Sequence, residues 1–115
     1  MSSKCGPDIN ENGLVLFLDA ANRLSYPGSG TAWSDLSGNS NTGTLTNGPT
    51  FSAGNLGSIL FDGTNDYVEV PAASSVIANG NISMAAWVYP TNPAAGWPNF
   101  DGIVGFRNDA NADFY

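Results

Sequence analysis

The chain has 115 residues, a length that predicts one domain, and 42% of them are hydrophobic, which is enough for a core. Only 11% are charged and the formal net charge is −7, so the clustered Lys and Arg that nucleic acid or an anionic membrane surface would require are missing. With no His and a single Cys, Cys5, zinc and haem sites and an internal disulfide are excluded.

The predicted elements begin with a polar N-terminal arm at residues 1–12. The unbroken apolar run 14–18 (LVLFL) then predicts a central strand that is covered on both faces. Residues 19–30 are predicted to form a loop, and residues 33–49, rich in Asn, Gly, Ser and Thr, a longer loop with one short strand at 42–46. The 14 Gly and 7 Pro of the chain favour strands joined by turns over helices.

Residues 57–70 predict a β-hairpin. The first half is nearly all apolar, and in the second half Tyr67 and Glu69 alternate with two valines. Between them, the sequence Asp-Gly-Thr-Asn-Asp at 62–66 is typical of a tight turn. This stretch indicates an all-β fold.

The last third predicts more strands. A connection at 71–80, with a short helical turn at 74–77, precedes a strand at 82–89 in which Trp87 is expected to lie in the core. A loop at 91–101 and a strand at 102–107 follow. Because a further strand begins at Phe114, we expect an incomplete sandwich that is finished by later residues or by another chain, with an open edge that invites association.

Four motifs occur in order along the chain: Gly13–Leu16, Trp33–Asn39 (WSDLSGN), Phe61–Val68 (FDGTNDYV) and Ile82–Val88 (ISMAAWV). Together they resemble the N-terminal half of a laminin-G-like domain of the concanavalin A-like lectin/glucanase superfamily. The resemblance implies that residues 13–115 form part of an antiparallel jelly-roll β-sandwich.

Three further segments are Asp19–Asn22, Ser25–Thr31 and Gly43–Phe51. Their sequences are similar to those of domains in marine and cyanobacterial phage proteins. This resemblance implies a virion structural protein, either capsid-decorating or associated with a tail or fibre, whose partners are other virion proteins and copies of itself. Such a protein assembles in the host cytoplasm, which fits an N-terminus without a hydrophobic signal region.

The residues argue against an enzyme. Superfamily members that cleave glycans use paired carboxylates at alternate positions of one strand. The chain has only Glu11 and Glu69, and neither has an acidic residue two positions away. Ser-His-Asp catalysis is impossible without His, so a non-enzymatic protein is predicted.

Calcium is the one cofactor that the residues leave open. Side-chain oxygens alternate at Asp35, Ser37, Asn39 and Asn41, although a helix–loop–helix calcium loop would need Gly and Glu later in the motif, where Ser and Thr stand. The laminin-G-like resemblance also implies a rim site to which Asp62, Asn65 and Asp66 would contribute, so that the candidate calcium ligands are these three residues and Asp35. The competing interpretation is that these side chains bond their own backbone in turns.

The alternative function is recognition of host surface glycans by a carbohydrate-binding module. Sugar sites combine an aromatic platform with hydrogen-bonding Asn and Asp side chains. The candidate platforms are Trp97, in the loop sequence PAAGWPNF, together with Trp33, Tyr26 and Tyr89. For Trp33, the competing interpretation is a plug beneath the loop that follows it.

Overall fold

The computed structural model of the chain describes residues 10–71, 81–91, 103–105, 107–108 and 112–113. The described elements are seven short strands and one turn of 3-10 helix. They are β1 Ala32–Trp33, β2 Gly43–Thr46, β3 Thr50–Ser52, the 3-10 turn Gly54–Leu56, β4 Ser58–Leu60, β5 Tyr67–Glu69, β6 Arg107–Asn108 and β7 Ala112–Asp113. The described part of the chain is therefore all-β, as the sequence predicts, and no helix in it is long and apolar enough to cross a membrane.

All described strand pairs are antiparallel. One sheet has the order β1-β2-β5, a second pairs β3 with β4, and a third pairs β6 with β7. In the first sheet Leu45 of β2 stands opposite Val68 of β5, and Leu45 is 4% exposed. The short strand predicted at 42–46 is thus confirmed as β2.

Both strands of the hairpin predicted at 57–70 exist, but the prediction that they pair with each other is wrong. Strand β4 pairs with β3, where Phe51 stands opposite Ile59, and β5 pairs with β2. Residues 61–66 therefore carry the chain from one sheet to the other. The 53–57 loop supplies the tight hairpin instead, with the Gly57 N–H donating to the Gly54 carbonyl at 3.1 Å.

The apolar run 14–18 forms no strand. Its residues are half-buried, and the carbonyls of Leu14 and Val15 and both backbone polar groups of Phe17 are bonded by the 35–41 loop rather than by a neighbouring strand. The prediction of a central strand there is therefore wrong, because side chains satisfy backbone groups that a sheet ladder would otherwise have paired.

The chain divides into two units, Met1–Val76 and Ile77–Tyr115. In the second unit residues 82–89 are described and form no strand, contrary to prediction. Trp87 is 94% exposed, so its predicted place in the core is also wrong. The predicted helical turn at 74–77 and Phe114 lie outside the described residues, as do the predicted loop at 91–101 except for its first residue and most of the 1–12 arm.

The core of the first unit is centred on Tyr26, which is 2% exposed. Its ring lies 5.4 Å from the Phe51 ring of β3 and 6.4 Å, edge to face, from the Trp33 ring of β1. Aromatic pairs in this arrangement add to the stability gained from burial alone. Tyr26 thus contacts a strand of each sheet in this unit.

Candidate functional site

The 35–41 loop is organised around the carboxylate of Asp35. Oδ1 accepts hydrogen bonds from the backbone N–H groups of Phe17 and Ser37, both at 2.8 Å. Oδ2 accepts the Ser37 hydroxyl at 2.7 Å and the Asn41 N–H at 3.0 Å. Bonds from donors to an ionised carboxylate are among the stronger hydrogen bonds in proteins, so this carboxylate fixes the loop against residue 17.

These donors also set the charge state of Asp35. Burial by itself raises the pKa of the carboxyl, but the bonds from Ser37, Phe17 and Asn41 outweigh burial and lower the pKa below its usual value. Asp35 is therefore ionised at neutral pH.

Two asparagines of the same loop bond the 14–17 segment from their side chains. Asn39 Nδ2 donates to the Leu14 carbonyl at 2.9 Å, and Asn41 Nδ2 donates to the Val15 carbonyl at 2.7 Å. Asn41 is only 4% exposed. The alternating polar residues that suggested calcium ligands thus act as hydrogen-bonding partners for the backbone.

The Ser37 hydroxyl takes part in the same arrangement. It lies 2.7 Å from Asp35 Oδ2 and 3.1 Å from the Val15 carbonyl, and its single proton is best used on the nearer, charged oxygen. Its oxygen accepts from Asn39 Nδ2 at 3.0 Å. A cation at Asp35 would have to displace several of these bonds at once.

The three other calcium candidates lie in one turn, at 62–66. Asp62 Oδ1 accepts from the N–H groups of Thr64 at 2.8 Å and of Asn65 at 3.4 Å, and Asp66 Oδ2 accepts from the Asp62 N–H at 3.0 Å. Asp66 Oδ1 is a buried atom with no hydrogen-bond partner. The structure thus brings Asp62 and Asp66 together but uses one carboxylate oxygen of each, Asp62 Oδ1 and Asp66 Oδ2, on the turn.

Asp35 belongs to a different loop from these residues. Within the described ranges no group of three or more acidic, His or Cys side chains is placed to hold a metal ion. Asn65 contributes through its backbone, since its carbonyl accepts from Asn47 Nδ2 at 2.7 Å.

Three of the four candidate sugar platforms, Tyr26, Trp33 and Tyr89, are described. Tyr26 is buried and its hydroxyl donates to the Gly30 carbonyl at 2.8 Å, so its ring has no free face for a sugar. Trp33 is half-buried against Tyr26, and its buried indole Nε1 has no hydrogen-bond partner. Trp97 lies outside the described residues.

The sequence misses Trp87 as an exposed aromatic residue, whereas its neighbour Tyr89 is one of the predicted candidate platforms. Trp87 is 94% exposed and Tyr89 is 89% exposed, two positions apart in the 82–89 segment. Their neighbours Ile82, Met84 and Val88 are also exposed, by 41%, 52% and 56%. The apolar alternation of this segment is typical of a buried strand, and nothing in the local pattern signals exposure.

No protein-family model, no curated protein and no solved structure matches this chain. The resemblance to laminin-G-like domains accordingly stays a prediction from the sequence motifs.

Proposed function

We propose that this chain is a non-enzymatic structural protein of a phage virion, either capsid-decorating or associated with a tail or fibre. It would be built on a laminin-G-like jelly-roll sandwich and bind other virion proteins and copies of itself. The similarity of the loop sequences to phage proteins supports the virion assignment, and the antiparallel all-β architecture is compatible with the sandwich.

The observation that carries the assembly role is the exposed apolar segment 82–89. Soluble monomers rarely expose large contiguous apolar patches, because burying apolar surface away from water is favourable and exposed surface does not gain this free energy. Covering Trp87, Val88 and Tyr89 with a protein partner would recover that free energy. A protein present in many copies on a particle has such partners at high local concentration.

The described acidic side chains support a non-catalytic role. Asp35, Asp62 and Asp66 all accept backbone N–H groups, and Glu69 is exposed on β5 opposite Thr44. Glycan cleavage needs an acid and a second carboxylate held at a fixed separation around the bond to be broken. Here the carboxylates stabilise loops, which favours a structural surface.

Mass spectrometry of purified virions from the phage that encodes the chain tests the proposal directly. The expected result is the chain's peptides in intact particles at a copy number comparable to other structural proteins. Its absence from particles, with the protein present in the infected cell, would overturn the proposal.

Assembly through the 82–89 segment has its own test. Sedimentation velocity over a concentration range should show association of the purified chain and less association after Trp87→Ser. The matched control is Leu24→Ser, which removes another exposed apolar side chain (69% exposed) from the other unit. Equal effects of the two substitutions would argue against a specific interface at 82–89.

A second candidate function is glycan binding, and the exposure of Trp87 and Tyr89 favours it. An aromatic face that is free of protein contacts suits the apolar face of a sugar ring, whereas Tyr26 does not. A glycan array with Trp87→Ala and Leu24→Ala as paired variants tests this function. Binding that survives Trp87→Ala would argue against the platform.

A further inference from the structure

The sequence Asn-Gly occurs at 12–13 and at 47–48 among the described residues. In this dipeptide the glycine N can attack the preceding side-chain amide, because glycine has no side chain to hinder the approach. The reaction needs a mobile amide and a backbone that can bend into a ring. Identical dipeptides in different settings therefore react at different rates.

The first dipeptide lies in an exposed turn that is loosely held. The Leu14 N–H donates to the Glu11 carbonyl at 3.1 Å, and Gly13 has φ 79° at the corner. The Asn12 N–H donates to Asn10 Oδ1, but the Asn12 side-chain amide and the Gly13 N–H have no hydrogen bond in the described structure. Both reacting groups are thus free and open to water.

The second dipeptide is held by its neighbours. Asn47 Nδ2 donates to the Asn65 carbonyl at 2.7 Å, which fixes the amide that would have to turn toward Gly48. The residues on either side are paired in two sheets, with Thr46 opposite Tyr67 and Thr50 opposite Leu60. Asn47 is also exposed, so hydrogen bonding and strand pairing, not access to water, separate the two sites.

We propose that Asn12 is a site of spontaneous conversion to aspartate and isoaspartate in the folded protein, and that Asn47 is protected from it. The Gly13 N gives its proton to solvent hydroxide and forms a bond to the side-chain carbonyl carbon of Asn12. The bond from that carbon to the side-chain nitrogen breaks, and the nitrogen takes a proton from water and leaves as ammonia, which regenerates the hydroxide. Water then opens the cyclic imide at either carbonyl, giving aspartate or isoaspartate with no change of oxidation state.

The conversion would alter the start of the first unit. It adds one negative charge to a chain whose formal charge is already −7. Isoaspartate also inserts an extra carbon into the main chain, which would disturb the Glu11–Leu14 turn directly before the segment that the Asp35 loop holds. The fraction of molecules with aspartate or isoaspartate at position 12 would thus increase with the age of the protein.

Peptide mapping by mass spectrometry of the purified chain, aged at mildly alkaline pH, tests the proposal. We expect the mass gain of amide-to-acid conversion at Asn12 at a rate roughly tenfold or more above that at Asn47, since the Asn47 hydrogen bond must first be lost. A sample aged in urea is the control, in which the two rates should approach each other. Asn12→Gln should remove the signal from that peptide in the folded sample.

Two results would overturn the proposal. One is equal conversion of Asn12 and Asn47 in the folded chain. The other is no conversion of Asn12 in the folded chain under conditions in which it converts in urea.

Discussion

The backbone N–H of Phe17 donates a 2.8 Å hydrogen bond to the carboxylate of Asp35, 18 positions later in the sequence. In the opposite direction, the Leu36 N–H donates to the Phe17 carbonyl at 2.8 Å. Both polar groups of one backbone residue are therefore satisfied by a loop. A half-buried apolar segment needs such partners, because an unpaired buried N–H or carbonyl is costly.

Replacing Asp35 with Asn should destabilise the first unit strongly. In the unmodified protein the Asn41 N–H and the Ser37 hydroxyl donate to the second carboxylate oxygen of Asp35. The amide of Asn keeps one acceptor oxygen but would present an NH2 group to these two donors. We expect Asp35→Asn to lower the free energy of unfolding by about 2–3 kcal/mol, measured by urea denaturation.

Asp19→Asn is the matched control for that substitution. Asp19 Oδ1 accepts one exposed bond, from the Ala21 N–H at 2.9 Å. Because the amide oxygen of Asn can still accept this bond, Asp19→Asn should lower the free energy of unfolding by about 1 kcal/mol or less. If the two asparagine variants were equally stable, the central role of Asp35 would be wrong.

The lowered pKa of Asp35 predicts acid sensitivity. Because the pKa is lower in the folded protein than in the unfolded chain, the stabilisation is fully present above the usual carboxyl pKa and is lost as pH falls through the lower folded value. The free energy of unfolding should therefore fall with acidification in this window. Asp35→Asn should flatten this part of the pH profile; a profile with unchanged slope would contradict the assignment.

The sequence predicts the strands of the first unit better than their partners. Alternation at 67–70 and the short polar strand near 42–46 are local patterns, and both strands are present. Strand β3 lies in the sequence Thr-Phe-Ser, which has no clear period, so the sequence pairs β4 with β5 instead of with β3. Pairing depends on contacts distant in sequence, and a local pattern carries no information about them.

The same limit applies to the candidate site. The sequence supplies the alternating oxygens of the 35–41 loop and offers two interpretations, cation ligands or turn stabilisers. Only the placement of residues 14–17 beside the loop shows which backbone groups these side chains bond: the Asp35 carboxylate accepts an N–H, whereas Asn39 and Asn41 donate to carbonyls. Exposure of Trp87 was equally unpredictable, because a run such as ISMAAWVY has the pattern of a buried strand.

Two glycines allow the energetic cost of an unfavourable backbone conformation to be measured separately from the cost of a steric clash. Gly57 has φ 132°, and a Cβ there would lie 2.6 Å from the Ala20 carbonyl oxygen, whereas Gly63 has φ 74° with nothing within 4 Å. Gly63→Ala should cost about 1–2 kcal/mol from conformation alone. Gly57→Ala should cost more, by roughly 1–3 kcal/mol, because the Ala20 backbone must move. Similar losses in thermal or urea unfolding would argue against that close approach.

Calcium should leave the thermal stability of the chain unchanged. Both carboxylate oxygens of Asp35 and Oδ1 of Asp62 already accept backbone donors, and a ligand that binds only the folded state would have to compensate for losing those bonds. Differential scanning fluorimetry with calcium, with magnesium and with a chelator measures this. A midpoint rise of about 4 °C or more with calcium alone would point to a site after all.

Asp66→Asn distinguishes a turn carboxylate from a metal ligand. The amide oxygen can still accept the Asp62 N–H, while the atom in place of the unpartnered Oδ1 belongs to a neutral group that is less costly to bury than a carboxylate. We therefore expect Asp66→Asn to raise the free energy of unfolding by about 1 kcal/mol without calcium. A metal ligand predicts the opposite pattern, in which the variant gains nothing and abolishes a calcium-dependent rise seen in the unmodified chain.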